Sequence, residues 1–298
     1  MHLMTPRSMV RSCALALSLL ALALTPAMAA TKKILLIAGS RSHGAGEHEF
    51  RAGCLLLQKA LNQVPGVISE VASNGWPTSD AAFNGVDAVV IYSDGGNGHP
   101  AIKPERLKKL QELMDRGVGL GCAHYGVEVP KGEPGDALLR WIGGYFEMFW
   151  SVNPHWTADF SNLPKHPITQ GVKPFKINDE WYYHMRFREG MTGVTPLLSA
   201  LPPASTLQRP DGPHSGNPAV RAAVGRGEAQ HVMWCTERTE GGRGFGFTGG
   251  HFHKNWGDEN FRKIVLNAVL WIAHATVPPD GVSVPISPET LKANLDPK

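Results

Sequence analysis

Short apolar runs alternate with stretches of helical spacing over the first third of the chain. Residues 33–38 (KILLIA) form a continuous apolar run ending at Gly39, the pattern of a strand buried on both faces of a parallel sheet. After a loop rich in Gly, Ser and His (39–48), Phe50, Leu55, Leu56, Leu57, Leu61 and Val64 recur near the spacing of one helix face, and Pro65-Gly66 stops them. Residues 67–72 read as a second strand. Residues 87–92 (DAVVIY) read as a third, running into the turn formers Ser93-Asp94-Gly95-Gly96-Asn97-Gly98. A helix is predicted over 104–116, with Pro104 in its first turn, Leu107, Leu110, Leu113 and Met114 inward, and Gly117 as its stop. Residues 118–122 make a fourth strand.

This alternation predicts an α/β fold, a mostly parallel doubly wound sheet with helices on both faces. In such sheets ligands bind outside the carboxyl ends of the strands. The loops after Ala38, Tyr92 and Cys122 should therefore converge, bringing together His43, His48, His99 and His124. The pattern lapses over 141–213, an irregular excursion with Gly143-Gly144, an aromatic cluster around Trp150, and proline-rich loops at 202–203 and 210–218. It returns with strands near 229–235 and 244–248 and a helix over 259–274. A proline-rich, extended tail is expected from 278 to 298.

The first 29 residues read differently. Arg7 and Arg11 precede an apolar run from Cys13 to Leu24, and Ala27-Met28-Ala29 has the small-x-small pattern of a signal-peptidase site. The run is short of the roughly 20 residues that span a bilayer. No cysteine follows it to carry a lipid. Cleavage after Ala29 is expected, giving a periplasmic or secreted protein with an α/β domain over 30–277; an uncleaved anchor is the alternative. About 270 residues then remain, enough for a sizeable core. The formal charge is +3, and two of the basic residues leave with the signal, so the mature chain is nearly neutral. No basic stripe suggests nucleic acid, and no membrane association is expected after cleavage. Cys54, Cys122 and Cys235 sit in apolar segments, which fits buried thiols rather than a disulfide framework.

Thirteen histidines and eight tryptophans call for a chemical reading. In Gly119-Leu120-Gly121-Cys122-Ala123-His124-Tyr125-Gly126, a strand ends in small residues, with Gly two positions beyond His124. That is the geometry of a nucleophile elbow, which lifts one side chain to the top of the sheet. Centring it on Cys122 would put His124 where a small residue is needed. The register with His124 at the tip is preferred, although a histidine merely capping the next turn is the plainer reading. In Gly249-Gly250-His251-Phe252-His253, an extended chain would point both histidines the same way, able to share Zn, Mn or Fe with Glu180. A hydrogen-bonded pair or a structural loop fits the same residues. Asp179-Glu180-Trp181-Tyr182-Tyr183, with Trp150, Asn153 and His155 upstream, places a carboxylate among aromatics, as sugar binding requires. A half-buried strand is the alternative. Glu180 is a candidate base, and Glu128 is a second carboxylate beside the elbow. Glu47 and Glu49 read as acids complementing a helix N-terminus.

At these residues the sequence resembles the ThuA-like (trehalose utilisation) family. The resemblance is carried by residues 33–37 with the following His loop, the turn at His124, His166-Pro167-Ile168-Thr169-x-Gly171-Val172, Asp179-Glu180, and Gly242-Arg243…Gly250-His251…Trp271. It implies a flavodoxin-like sheet of the class I glutamine amidotransferase superfamily, with histidine where amidotransferases hold cysteine. It also implies a link to disaccharide metabolism, often beside sugar dehydrogenases that make 3-keto sugars. The loop 42–50, the stretch 150–156 and His253 depart from shorter members and mark an exported branch.

The resulting expectation is an enzyme acting on a keto-glycoside or related sugar next to its carbonyl, by cleavage, epimerisation or isomerisation. Glu180 or His124 would be the base, and His251, with His253 and a divalent ion, would polarise the carbonyl. His43, His48, His99, Glu128, Trp150, Asn153, His155 and Trp181 would contact the sugar. No nucleotide cofactor is expected. The rival readings are a non-catalytic sugar-binding protein and an amidase or peptidase using Cys122.

Overall fold

β1 (Lys32–Ala38) is buried over its last five positions, as its unbroken apolar run requires, and lies inside a seven-stranded sheet. The computed structural model describes residues 1–2 and 30–297, so the signal peptide and cleavage site expected over the first 29 residues lie almost wholly outside the described residues. β2 (Val67–Ala72), β3 (Ala88–Tyr92) and β4 (Gly119–Ala123) join β1 in parallel. β11 (Arg243–Phe247) extends the parallel set, and β10 (Gln230–Glu237) and β9 (Val194–Ala200) close it as antiparallel neighbours. The order is β2-β1-β3-β4-β11-β10-β9. This mixed, mostly parallel sheet is flavodoxin-like, with its topological switch between β1 and β3.

Two cores flank the sheet. α1 (Phe50–Leu61) and α5 (Glu259–Ile272) bury their apolar sides on one face. α2 (Pro104–Met114) and α3 (Glu133–Ile142) cover the other. Among the described residues no helix is long and apolar enough to cross a membrane.

The excursion is more ordered than its sequence suggested. β6 (His155–Phe160) and β7 (Phe175–Glu180) form an antiparallel ribbon in which Trp156, Ala158 and Phe160 alternate inward. β5 (Gly144–Tyr145) pairs with β8 (Arg186–Phe187), and α4 (Pro218–Gly225) precedes β10. The ribbon register sets His155 opposite Glu180 and Trp156 opposite Asp179. The Trp156 indole donates to the Trp181 carbonyl at 2.9 Å.

The segment after 277, expected to be an extended tail, is irregular up to a short helix and packs against the domain. Val282 and Val284 are buried. The Val282 amide donates to Asn267 of α5 at 2.9 Å, and Arg262 of the same helix donates to the Val284 carbonyl at 2.9 Å. This cover explains why α5 is buried on nearly every side, Arg262 and Asn267 included. A short helix, α6 (Pro288–Lys292), then lies beside the loop that follows β1. The His253 ring pairs with the Leu291 carbonyl, Arg41 donates to the Pro297 carbonyl, and the Asp296 amide donates to Glu49 at 2.7 Å.

Candidate functional site

His124 begins a tight helical turn directly after β4, with φ of 51° and no exposed surface. Gly126 must be small, because a Cβ there would lie 2.9 Å from the Ile91 carbonyl oxygen. The elbow therefore centres on His124. Cys122 lies within the strand, and burial pushes its thiol up to about 12, far from a reactive thiolate. His43 and His48 also have positive φ, 58° and 47°. Non-glycine residues rarely adopt that region, and three such histidines in one place mark a site held by its surroundings.

The loop after β1 is fastened to the loop after β11. The His48 amide donates to the His251 carbonyl at 3.0 Å, and the His253 amide donates to the Gly46 carbonyl at 2.9 Å. Asp179, fully buried at the end of β7, anchors the second loop. Its carboxylate accepts from the amides of Gly250, His251 and Glu180 and from the Asn255 side chain, all at 2.8–3.0 Å. Burial pushes the Asp179 carboxyl up, and the donors aimed at it pull the other way. The next residue, Glu180, projects into the site.

Four side chains meet there. His124 Nε2 lies 2.9 Å from His48 Nε2, and His48 Nε2 lies 3.0 Å from His251 Nδ1. Glu180 Oε2 lies 3.1 Å from His251 Nδ1 and 3.7 Å from His124 Nε2. The outer ring nitrogens face acceptors. His124 Nδ1 is 3.0 Å from the Thr248 carbonyl, His48 Nδ1 is 3.0 Å from Asp94, and His251 Nε2 is 3.6 Å from Glu47. Burial, reinforced by the neighbouring His48, pushes His124 well below the ordinary histidine range. For His251 burial acts downward, but the carboxylates of Glu180, Asp179 and Glu47 outweigh it and raise its pKa. Burial would raise Glu180, yet its bond to His251 and the charges of His124 and His155 hold it below the usual carboxylate range. That setting favours the carboxylate form of Glu180 over the acid.

Above this cluster a pocket of about 210 Å³ is lined by His43, His48, Tyr125, Glu180, Tyr182 and His214, with Asn153 and Arg209. Asn153, Glu180 and Arg209 also line a second pocket of about 430 Å³ that includes His155, so the two share a wall. Asn153 bridges Glu180 and Arg209, at 3.1 and 3.0 Å. His214 bonds the buried Glu128 carboxylate at 2.9 Å. That bond is the main cause raising the His214 pKa, while burial raises Glu128. A larger cavity of about 510 Å³ lies at the opposite edge of the sheet, around residues that precede β4. There Glu237 and Glu240 are engaged by Arg243 and Arg238, and no histidine is present.

The structure thus brings together His43, His48, His124, Asn153, His155, Glu180 and His251, with Glu128 behind His214. It does not bring in four others. His99 is buried and turned back, with one ring nitrogen 3.1 Å from the Gly126 carbonyl and the other accepting from the Ala101 amide. Burial lowers its pKa to about 4. Trp181 packs in the core against Phe160, Phe247 and Phe261. Trp150 is stacked under Arg186, 3.8 Å from the ring centroid, and beside His184. His253 opens a 3-10 turn after Gly250, whose φ is 113°, so the chain is not extended there and the ring points to Leu291 instead of the cluster. Its pairing with His251 as a metal ligand is therefore corrected. Glu49 does sit at the start of α1, accepting from the Gly46 and Asp296 amides, but Glu47 faces His251. Asp94, Tyr125, Tyr182, Arg209 and His214 are site residues beyond those expected. Strand alternation carried on from Glu180 points to Tyr182, whose hydroxyl lies 3.3 Å from His124 Nε2.

A flavodoxin-like sheet with a histidine at the elbow after its fourth strand defines the class of α/β protein. The chain belongs to the ThuA family, described as trehalose utilisation, whose model matches residues 34–272. Its role is accordingly carbohydrate-related. Among solved structures it is similar to a ThuA-like protein from Bacteroides uniformis ATCC 8492 (TM-score 0.57, 16% identity, covering 83% of this chain and 93% of that one). It is also similar to one from Parabacteroides merdae ATCC 43184 (TM-score 0.56, 14% identity, 83% and 92%). At these identities the likeness concerns the fold. None of the curated proteins matches the sequence.

Proposed function

We propose that the chain is an exported enzyme that acts on a keto-glycoside or related sugar, moving a proton at the carbon beside the carbonyl. One observation carries this reading: an imidazole backed by a buried carboxylate, His214 with Glu128, lines the same pocket as His48 and Glu180, the two members of the four-residue cluster that reach it. A ketone acidifies its neighbouring C–H, and two things are then needed. One is a positive centre to meet the carbonyl oxygen as it gains charge; the other is a group that takes the proton and returns it. Within the cluster His251, whose pKa its carboxylate neighbours raise, supplies the first, and His214 the second. Glu180 and His124 belong to the polarising centre rather than acting as the base. If the base removes the proton and a glycosidic oxygen leaves from the next carbon, a C=C bond forms and the departing oxygen takes the proton back. Without that departure, reprotonation gives an epimer or isomer. Tyr125, Tyr182, Asn153 and Arg209 provide hydroxyl, amide and guanidinium partners for sugar hydroxyls.

The test is incubation with 3-keto-glycosides in heavy water, followed by NMR. Solvent deuterium beside the carbonyl, or release of the aglycone, is expected, and E180Q is expected to abolish both. Saturable sugar binding without exchange or release would replace the enzyme with a plain sugar-binding protein. Export is supported by Arg7, Arg11 and the Ala27-Met28-Ala29 site, and N-terminal sequencing of the mature protein should begin at Ala30.

A further inference from the structure

The inner nitrogens of His48 and His124 face one another beside His251 and Glu180. The Thr248 carbonyl only accepts, so His124 Nδ1 facing it at 3.0 Å carries the proton. Asp94 assigns the proton of His48 to Nδ1 in the same way, at 3.0 Å. In the neutral rings both Nε2 atoms are then acceptors, and they stand 2.9 Å apart with the Tyr182 hydroxyl 3.3 Å from His124 Nε2, in rings with no exposed surface on His124 and 1% on His48. His251 Nδ1 joins them, with Glu47 beside its outer nitrogen, and Glu180 adds a carboxylate oxygen. Four lone pairs thus point at one small volume.

We infer that His48, His124, His251 and Glu180 bind one divalent first-row transition cation. Their ligand atoms all lie within 4.8 Å of one another. In a tetrahedral site with bonds of about 2.0–2.1 Å, ligand atoms stand about 3.3 Å apart; four of the six spacings here run from 2.9 to 3.7 Å, and the other two stay within 4.8 Å. Imidazole and carboxylate suit Zn, Mn or Fe rather than Ca or Mg, which favour all-oxygen sites. The outer shell is in place as well: metal-bound imidazoles characteristically give their other N–H to a carboxylate or carbonyl, here Asp94, Thr248 and Glu47. On its open side the cluster faces the pocket, where a substrate oxygen can reach the ion. The ligand set differs from a His251–His253 pair, because His253 is turned away toward Leu291.

The cation does not depend on the sugar reading, and the experiment separates them. Tag-free protein purified without chelator is analysed for metals, then stripped and titrated with Zn²⁺, Mn²⁺ and, without oxygen, Fe²⁺ by calorimetry. About one equivalent per chain is expected. H48A, H124A and E180Q should each lose at least tenfold in affinity, D94N should lose about 10–100-fold, and H253A should retain the ion. X-ray absorption on the metal-loaded wild type reads the nitrogen ligands directly if a variant fails to fold. Substoichiometric metal with no binding heat for any of the three ions would overturn the site, leaving a proton shared by His48 and His124. Retention in folded H48A and H124A would overturn it too. Turnover of a keto-glycoside by protein that binds none of the three ions would overturn the cation and keep the proposed reaction; a bound cation without turnover would do the reverse.

Discussion

The site is built from two regions with opposite habits. The loops after β1, β3, β4 and β11 deliver His48, Asp94, His124 and His251, side chains that are mostly buried and each fixed by a named partner. The excursion between α3 and α4 delivers Asn153, His155, Arg209 and His214, which stand at the pocket wall and are partly or largely exposed. Glu180 and Tyr182 belong to the excursion by sequence and to the cluster by position. A sheet edge is a rigid mount, so it suits groups whose mutual spacing must be kept to tenths of an ångström. The excursion can vary its wall without moving that mount, so under the proposed function it is where substrate preference would be set.

If the excursion were only an appended loop, W181A would cost little. Instead the ring is fully buried among Phe160, Phe247 and Phe261, and a loss of about 3–5 kcal/mol is expected on chemical denaturation. A loss below about 1 kcal/mol would detach the excursion from the core. A sharper division comes from His214. H214N keeps a polar partner for Glu128 but cannot titrate, so on a keto-glycoside kcat should fall about 100-fold. KM and metal content should stay within a few-fold, and the pH dependence due to His214 should disappear. Equal loss of metal in H214N would merge the two regions into one. The smallest effect concerns Glu147, in the excursion but away from the pocket. Burial pushes its carboxyl up, but Arg186 at 3.0 Å, Tyr145 at 2.6 Å and Lys131 outweigh this and lower the pKa. A depressed folded pKa adds stability that is full above the unfolded value of about 4.3 and is lost as pH falls through the folded one. E147Q should therefore cost about 1 kcal/mol at neutral pH, and the gap should close in acid. A gap independent of pH would show that the amide simply packs badly.

How much of this could be read from the sequence follows the same division. Residues 33–122 show their strands and helices because each has one period and a clear stop, and the strand-end rule then placed His48 and His124 correctly. The rule places loops, though, and not side chains: His99 is in the right loop with its ring turned back to Gly126. In the excursion β6 alternates, but two-stranded ribbons and short bridges are too brief to stand out. Trp181 was expected at the sugar because it is aromatic and next to Glu180, whereas alternation gives that face to Tyr182. His214 lies among glycines and prolines with no periodicity at all. What makes it a site residue is Glu128, 86 positions earlier, and no local pattern reports that distance.

The C-terminal segment has a practical consequence for anyone handling this protein. Its final residues act as a splint: Pro297, Asp296 and Leu291 hold Arg41, Glu49 and His253, bracketing the loop that carries His43 and His48. An affinity tag fused after Lys298 would be attached one residue beyond that splint. A tag placed before residue 29 would be discarded with the leader if cleavage falls after Ala29. A removable tag placed directly ahead of Ala30, in protein made from residue 30 onward, leaves both the splint and the histidines undisturbed.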